Sequence, residues 1–281
     1  MRSHNDLPIL AETLRGLAAQ RAPFTLISFD NASTDGSRDA VAALAAAQHH
    51  VPAGAYVPGR VLNDAMRATT SDIVVFLNAD CVPADALWLT RLVDAFDDPT
   101  VGAAFSRQRP RTDCDPFQAR DTEATYGDGA LQARWKHCFS MAASAIRRSA
   151  WLESPFREDL QYSEDIDWTW RARQRGHRIQ YVPMSAVFHS HNYSLAQLYR
   201  RHRGEGRADA AIFSWSAWER SFPRYTLMPW MRQVLADWRL ALRTRTFSVL
   251  ATAPVYRAVQ AAGRRDGFRL GFSATMNGQT R

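Results

Sequence analysis

Five consecutive apolar residues, Ile73-Val74-Val75-Phe76-Leu77, are bounded by polar ones and predict a strand covered on both faces, as in the interior of a mostly parallel sheet. Asn78-Ala79-Asp80 follows at once. Side chains alternate along a strand, so Asn78 and Asp80 leave it on the same side. Upstream, Leu10, Leu14 and Leu17 share one helical face and predict a helix over 9–20, followed by a strand over 24–29 that Asp30 ends. The turn-forming run 31–37 can cap a helix over 38–48. Further helices are predicted over 60–68 and over 85–96, the latter with Leu89, Leu92, Val93 and Phe96 on its buried side. A strand over 101–105, a polar and irregular loop region over 107–136 and a strand over 139–146 come next. Ser163 can cap a helix from 164 that Gly176 stops, and Pro183 closes a strand over 178–182. Beyond it the pattern is helical, over 194–203, 228–243 and 255–263. Strands alternating with helices predict an α/β domain.

Composition bounds this picture. A chain of 281 residues, 46% hydrophobic, is long enough for a sizeable core. No apolar run of about 18 residues is present, and the segment 1–6 does not read as a signal peptide. Three scattered cysteines, Cys81, Cys114 and Cys138, suit a reducing cytosol and neither a disulfide framework nor a zinc site. The net charge of +7 is uneven: from Arg200 onward 15 Arg stand against five Asp or Glu, so that this tail carries +10 and the first 199 residues carry −3. A basic tail of this kind meets nucleic acid, an anionic membrane surface or an anionic substrate.

The candidate chemistry is acidic. In open α/β sheets, ligands lie beyond the carboxyl ends of strands, where Asp80 could ligate a hard divalent cation or merely cap a turn. Glu164 and Asp165 either complement a helix dipole or supply a general base, because a carboxylate crowded by another has a raised pKa. Trp168 and Trp170 read as core or as a platform for a sugar face. Arg200-Arg201-His202-Arg203 and Arg207 form a solvated helix face or hold anionic groups.

Taken in order, the motifs resemble the bacterial family 2 glycosyltransferases of the GT-A fold, and within them the rhamnosyltransferase-like members. The resemblance spans about residues 3–210 and rests on 30–37, Arg60 with Asn63, Asn78-Ala79-Asp80, 107–110, Glu164-Asp165 before Trp168 and Arg171, and His189 before Asn192-Tyr193-Ser194. It implies a mostly parallel sheet flanked by helices in a domain over 1–210, with a basic helical extension over 211–281. It implies that Asp30 and Asn31 lie beside the nucleobase, Arg60 near the base or phosphates, and Asn78 at the ribose in place of the first Asp of an Asp-X-Asp motif. Asp80 would hold a divalent metal, Mg or Mn, with His189 reaching the metal or diphosphate and His191 as second choice. Asp165 would be the general base of an inverting transfer and Glu164 its neighbour. The implied partners are a nucleotide-diphosphate sugar and a glycan or lipid-linked acceptor, at the inner face of the cell membrane if the Arg-rich C-terminus contacts anionic lipid.

The family's apolar first strand precedes the segment that matches Ser3-His4-Asn5-Asp6, so that strand is expected to be missing, the protein starting upstream or being an impaired copy. The alternative function is a truncated, non-catalytic nucleotide-binding protein. Nucleic-acid binding is not expected, since zinc spacing, RNP-type aromatics and a helix-turn-helix are absent. A sugar nucleotidyltransferase lacks support because no Gly-rich phosphate loop stands near the start.

Overall fold

The computed structural model describes residues 1–7, 9–134 and 137–278; Trp135 and Lys136, at the end of the expected loop region, and residues 279–281 of the extension lie outside the described residues. The chain forms two compact units, the first of residues 1–114, 121–160 and 164–190, the second of 115–120, 161–163 and 191–281.

In chain order the strands and helices are β1 (Arg2–Ser3), α1 (Ile9–Ala18), β2 (Ile27–Asn31), α2 (Ser37–Ala42), β3 (Ala47–Val51), α3 (Pro58–Arg67), β4 (Ile73–Leu77), β5 (Val82–Pro83), α4 (Trp88–Val93), β6 (Val101–Arg109), α5 (Pro116–Thr125), β7 (Ala143–Arg147), α6 (Arg148–Glu153), α7 (Glu164–Gln174), β8 (Arg178–Phe188), α8 (Leu195–Ile212), α9 (Met228–Thr244) and α10 (Ser248–Gly278). One sheet has the order β1-β2-β3 and the other β4-β7-β6-β8-β5. Arg2 bridges in parallel to Asn78, so β1, β2, β3, β4, β6 and β8 share one direction and β7 and β5 oppose it.

The strand expected over 73–77 is β4; it packs side chains on both faces, but it stands at the edge of its five-stranded sheet, antiparallel to β7, with Ile73, Val74 and Val75 half-buried, and not in the interior of a parallel sheet. Val75 and Leu77 pack with Leu10, Leu17, Trp88 and Leu92. Phe76 turns the other way, against Leu62, Met66 and Trp168. Each large side chain removed from water in this way contributes about 2–3 kcal/mol. Trp168 is fully buried and donates its indole N–H to the Ser154 carbonyl at 2.7 Å, so it is a core residue.

Of the first strand expected to be missing, two residues are present. Arg2–Ser3 pair with Phe29 and Asp30 of β2, and the Ala79 N–H donates to the Arg2 carbonyl. Below them β2 and β4 stand apart around a cavity of about 640 Å³ lined by Leu17, Phe29, Val75, Leu77 and Trp88.

Other segments differ from the sequence expectation: the helices expected over 194–203 and 255–263 run on as α8 and α10, and three more differ in kind. The helix over 38–48 stops at Ala42, and the chain enters β3 instead, parallel to β2. Alanine is the best helix former, but intrinsic propensity amounts to tenths of a kcal/mol per residue, and pairing with a neighbouring strand overrides it. The loop region holds α5, which begins at Pro116 behind Asp115, whose Oδ1 accepts the Phe117 and Gln118 N–H groups at 2.9 Å each. This is an N-cap with proline in the first turn. Finally, β8 runs through Pro183. Between Val182 and Ala186 its register against β6 slips, Ser106 facing Val182 and Arg107 facing Ala186. The displaced Ser185 hydroxyl donates to the Trp88 carbonyl at 2.9 Å, so the bulge carries its own polar partner.

The second unit is helical. Ser194 and Gln197 form a reciprocal capping box at the start of α8. Helices α8 and α10 touch backbone to backbone: a methyl group on Gly206 or Gly267 would collide with the Arg264 or Arg203 carbonyl. Leu198, Ala241, Val249, Ala253 and Tyr256 form its apolar centre, and the Arg257 guanidinium makes a two-pronged buried pair with Asp237 at 2.7 and 2.9 Å.

Candidate active site

The predicted site residues Asp30, Asn31, Arg60, Asn78, Asp80, Glu164, Asp165 and His189 all lie in the first unit. The stub β1 knits several of them together. The Ser3 hydroxyl donates to Asp30 Oδ1 at 3.3 Å. Its neighbour Arg2 donates to Asn78 Oδ1 at 2.8 Å, lies 3.5 Å from the Tyr56 hydroxyl, and reaches to 3.8 Å from Glu164 Oε1. One guanidinium thus spans the end of β4 and the start of α7.

Asp30 lies within β2 and is buried. Its Oδ2 accepts the Ser33 N–H at 3.1 Å, closing the turn behind the strand, and His50 of β3 approaches to 3.8 Å. Asn31, half-buried, ends β2, its carbonyl facing the His4 ring. Arg60, on α3, is exposed and pairs with Glu158 at 3.4 Å. Its companion Asn63 is buried structure. The Asn63 Oδ1 accepts the Trp151 indole N–H and the Phe156 N–H, both at 2.9 Å, and its Nδ2 donates to the Phe156 carbonyl and to Glu158.

Glu164 and Asp165 open α7, where the preceding Ser163 takes a left-handed backbone (φ 59°). Asp165 is held by the β4–β7 pairing: Asn78 N–H donates to Ala142 just before β7, and the adjacent Met141 N–H donates to Asp165 Oδ2 at 3.0 Å. Asp165 Oδ1 accepts the Ile166 N–H at 2.8 Å. Burial raises both carboxyls, Glu164 to about 7 with the Asp165 charge adding to it, while Arg2 pulls both down. The two N–H groups favour the charged form of Asp165 and so oppose the upward push of burial on it.

Asp80 meets His189 through strand pairing. Val82 of β5 faces Phe188 of β8 in antiparallel register, which brings Asp80, two positions before Val82, near His189, the residue after Phe188. His189 Nε2 lies 3.4 Å from Asp80 Oδ2. His189 Nδ1 lies 2.7 Å from Gln108 Oε1, an amide oxygen that only accepts, so Nδ1 carries the proton and Nε2 turns toward the carboxylate. A neutral imidazole oriented by such a bond and facing a carboxylate fits a divalent cation. The Asp6 carboxyl is near enough for the Asp80 charge to add to the burial that pushes it up to about 6. His191 lies beyond the boundary between the units.

Arg2, Tyr56 and Gln108 were missed as site residues. Gln108 lies inside the 107–110 motif, and Arg2 directly precedes the segment that begins at Ser3, so position was the available signal.

The sequence profile of glycosyl transferase family 2 matches residues 1–154, more than half of the chain. The chain belongs to this family. It is 29% identical over 195 residues to the O-antigen chain rhamnosyltransferase WbaN of Salmonella anatum, covering 66% of this chain and 62% of the relative. It is 30% identical over 147 residues to the pre-mycofactocin glycosyltransferase of Mycobacterium tuberculosis, covering 49% of this chain and 31% of that one. The chain therefore spans less than two thirds of the length of these curated relatives. Among solved structures it resembles the mannosyltransferase PcManGT of Pyrobaculum calidifontis, in complex with GDP-Man and Mn2+. There the TM-score is 0.62 at 20% identity, covering 100% of this chain and 86% of that one. It also resembles the glucosyl-3-phosphoglycerate synthase of M. tuberculosis, in complex with Mn2+, UDP and phosphoglyceric acid, with a TM-score of 0.56 at 18% identity over 77% of this chain and 78% of the other. The architecture of this family 2 member is the GT-A fold.

Proposed function

We propose that this family 2 protein is an inverting glycosyltransferase that moves a sugar from a nucleoside-diphosphate donor to a hydroxyl acceptor in surface polysaccharide or glycolipid assembly. The names of its Salmonella relatives favour a rhamnosyl donor and an O-antigen chain. The observation that carries the reading is the buried acid pair at the head of α7, where Asp165 accepts two backbone N–H groups that favour its charged form, beside a Glu164 carboxyl that burial pushes up to about 7.

In the reaction the acceptor oxygen bonds to the anomeric carbon as the bond from that carbon to the diphosphate oxygen breaks, the electron pair leaving with the diphosphate. Asp165 takes the acceptor's proton. Asp30 and Asn31 hold the base side of the donor, and Asn78, with its oxygen shared with Arg2, the ribose side. Arg60 offers its exposed guanidinium to the base or phosphates. Asp80 and His189 would hold a divalent cation, which when bound offsets charge building on the leaving diphosphate. The setting is cytoplasmic.

Replacing Asp165 by Asn tests this. Transfer should fall by about 10²–10⁴-fold while nucleotide binding persists. Transfer by Asp165→Asn at the unmodified rate would sink the assignment. Nucleotide binding by the unmodified chain without any turnover would favour the non-catalytic reading.

A further inference from the structure

Helix α9 carries a solvent-facing apolar stripe. Met228, Met231, Leu235, Trp238 and Leu242 recur at alternating spacings of three and four, so at about 100° per residue they form one continuous line. All five are exposed, Leu242 to 61%, as is Phe247, three residues past the end of the helix. The buried side, Val234, Asp237 and Ala241, flanks the stripe beyond Trp238.

Arg232, Arg239 and Arg243 follow the stripe along its outer edge by the same helical arithmetic, and all three are exposed. The one acid of α9, Asp237, is buried and paired with Arg257, so this border has no carboxylate of its own to neutralise it. These two facts select the partner. A second copy docked by the same stripe would bring arginines against arginines, as like charges flanking a coiled-coil seam. An anionic bilayer surface takes both parts: the apolar line enters the headgroup and acyl boundary, the guanidinium groups stay among lipid phosphates, and Trp238 suits that depth. No helix among the described residues is long and apolar enough to cross a membrane.

We propose that α9 is an in-plane docking helix for anionic lipid, with Met231, Leu235, Trp238 and Leu242 inserting and Arg232, Arg239 and Arg243 contacting headgroup phosphates. The surface needs neither donor nor acceptor, so its test does not depend on the catalytic reading.

The test is co-sedimentation of the full chain with vesicles of phosphatidylcholine containing phosphatidylglycerol, and with vesicles of phosphatidylcholine alone. Binding is expected to the anionic vesicles, weakening as salt is raised, with a blue shift of tryptophan emission. Met231→Glu with Leu235→Glu should abolish insertion, and Arg232→Gln, Arg239→Gln and Arg243→Gln together should weaken binding about a hundredfold. All five side chains are exposed, so each variant should fold, which circular dichroism would check. Equal sedimentation of wild type and both variants would overturn the proposal. So would a dimer in analytical ultracentrifugation that the glutamate pair converts to monomer while wild type ignores vesicles.

Discussion

Arg2 donates to the Asn78 side chain at 2.8 Å, across 76 residues of sequence, and from the same guanidinium reaches Glu164 at 3.8 Å. This contact joins the end of β4 to the acid pair of α7, so the charge state of the acids depends on a residue far from them in the chain. Arg2→Met should let the Glu164-Asp165 pair hold its protons to higher pH. The rising limb of the transfer rate against pH is then expected to move up by about one unit or more. An unmoved limb in a folded Arg2→Met protein would show that Arg2 does not set the pair.

Glu164 makes stability depend on pH in a defined direction. Burial raises its folded value to about 7 from the ordinary 4.5, so the native state binds the proton more tightly than the unfolded chain. The resulting stabilisation is complete below the unfolded value and is lost as pH rises through about 7, amounting to roughly 3 kcal/mol at most. Glu164→Gln should remove this dependence, leaving urea midpoints more nearly equal at about pH 5 and about pH 8 than in the wild type.

Gln108 orients His189, one of the two residues proposed to hold a cation. In Gln108→Leu the imidazole loses the acceptor that holds its proton on Nδ1. Affinity for Mn2+ in the presence of a nucleoside diphosphate, measured by calorimetry, is expected to fall about 10–100-fold. Asp80→Ala should remove it altogether, and unchanged affinity in both variants would rule out this cation site.

Asn63 serves the fold. Asn63→Ala would strand the buried Trp151 and Phe156 N–H groups and the Phe156 carbonyl, at a cost of about 3 kcal/mol or more. Chemical unfolding should show that loss, whereas nucleotide affinity of the folded fraction should remain near that of the wild type.

Local pattern alone determined that residues 73–77 form a strand, that Asn78 and Asp80 follow it, and that an acid pair opens a helix at 164, because burial periodicity and helix starts are properties of neighbouring residues, whereas pairing put that strand at the edge of its sheet and not inside it. The cap at Asp115-Pro116 was equally local and was overlooked amid polar sequence. Only the tertiary structure decided that 47–51 is a strand, that β8 bulges past Pro183 to carry His189 to Asp80, and that Arg2 binds Asn78 and Glu164. Each of these rests on partners far apart in the chain. The free energy of such a pairing belongs to the partner strand or charge as much as to the segment itself, and a local window holds only one of the two.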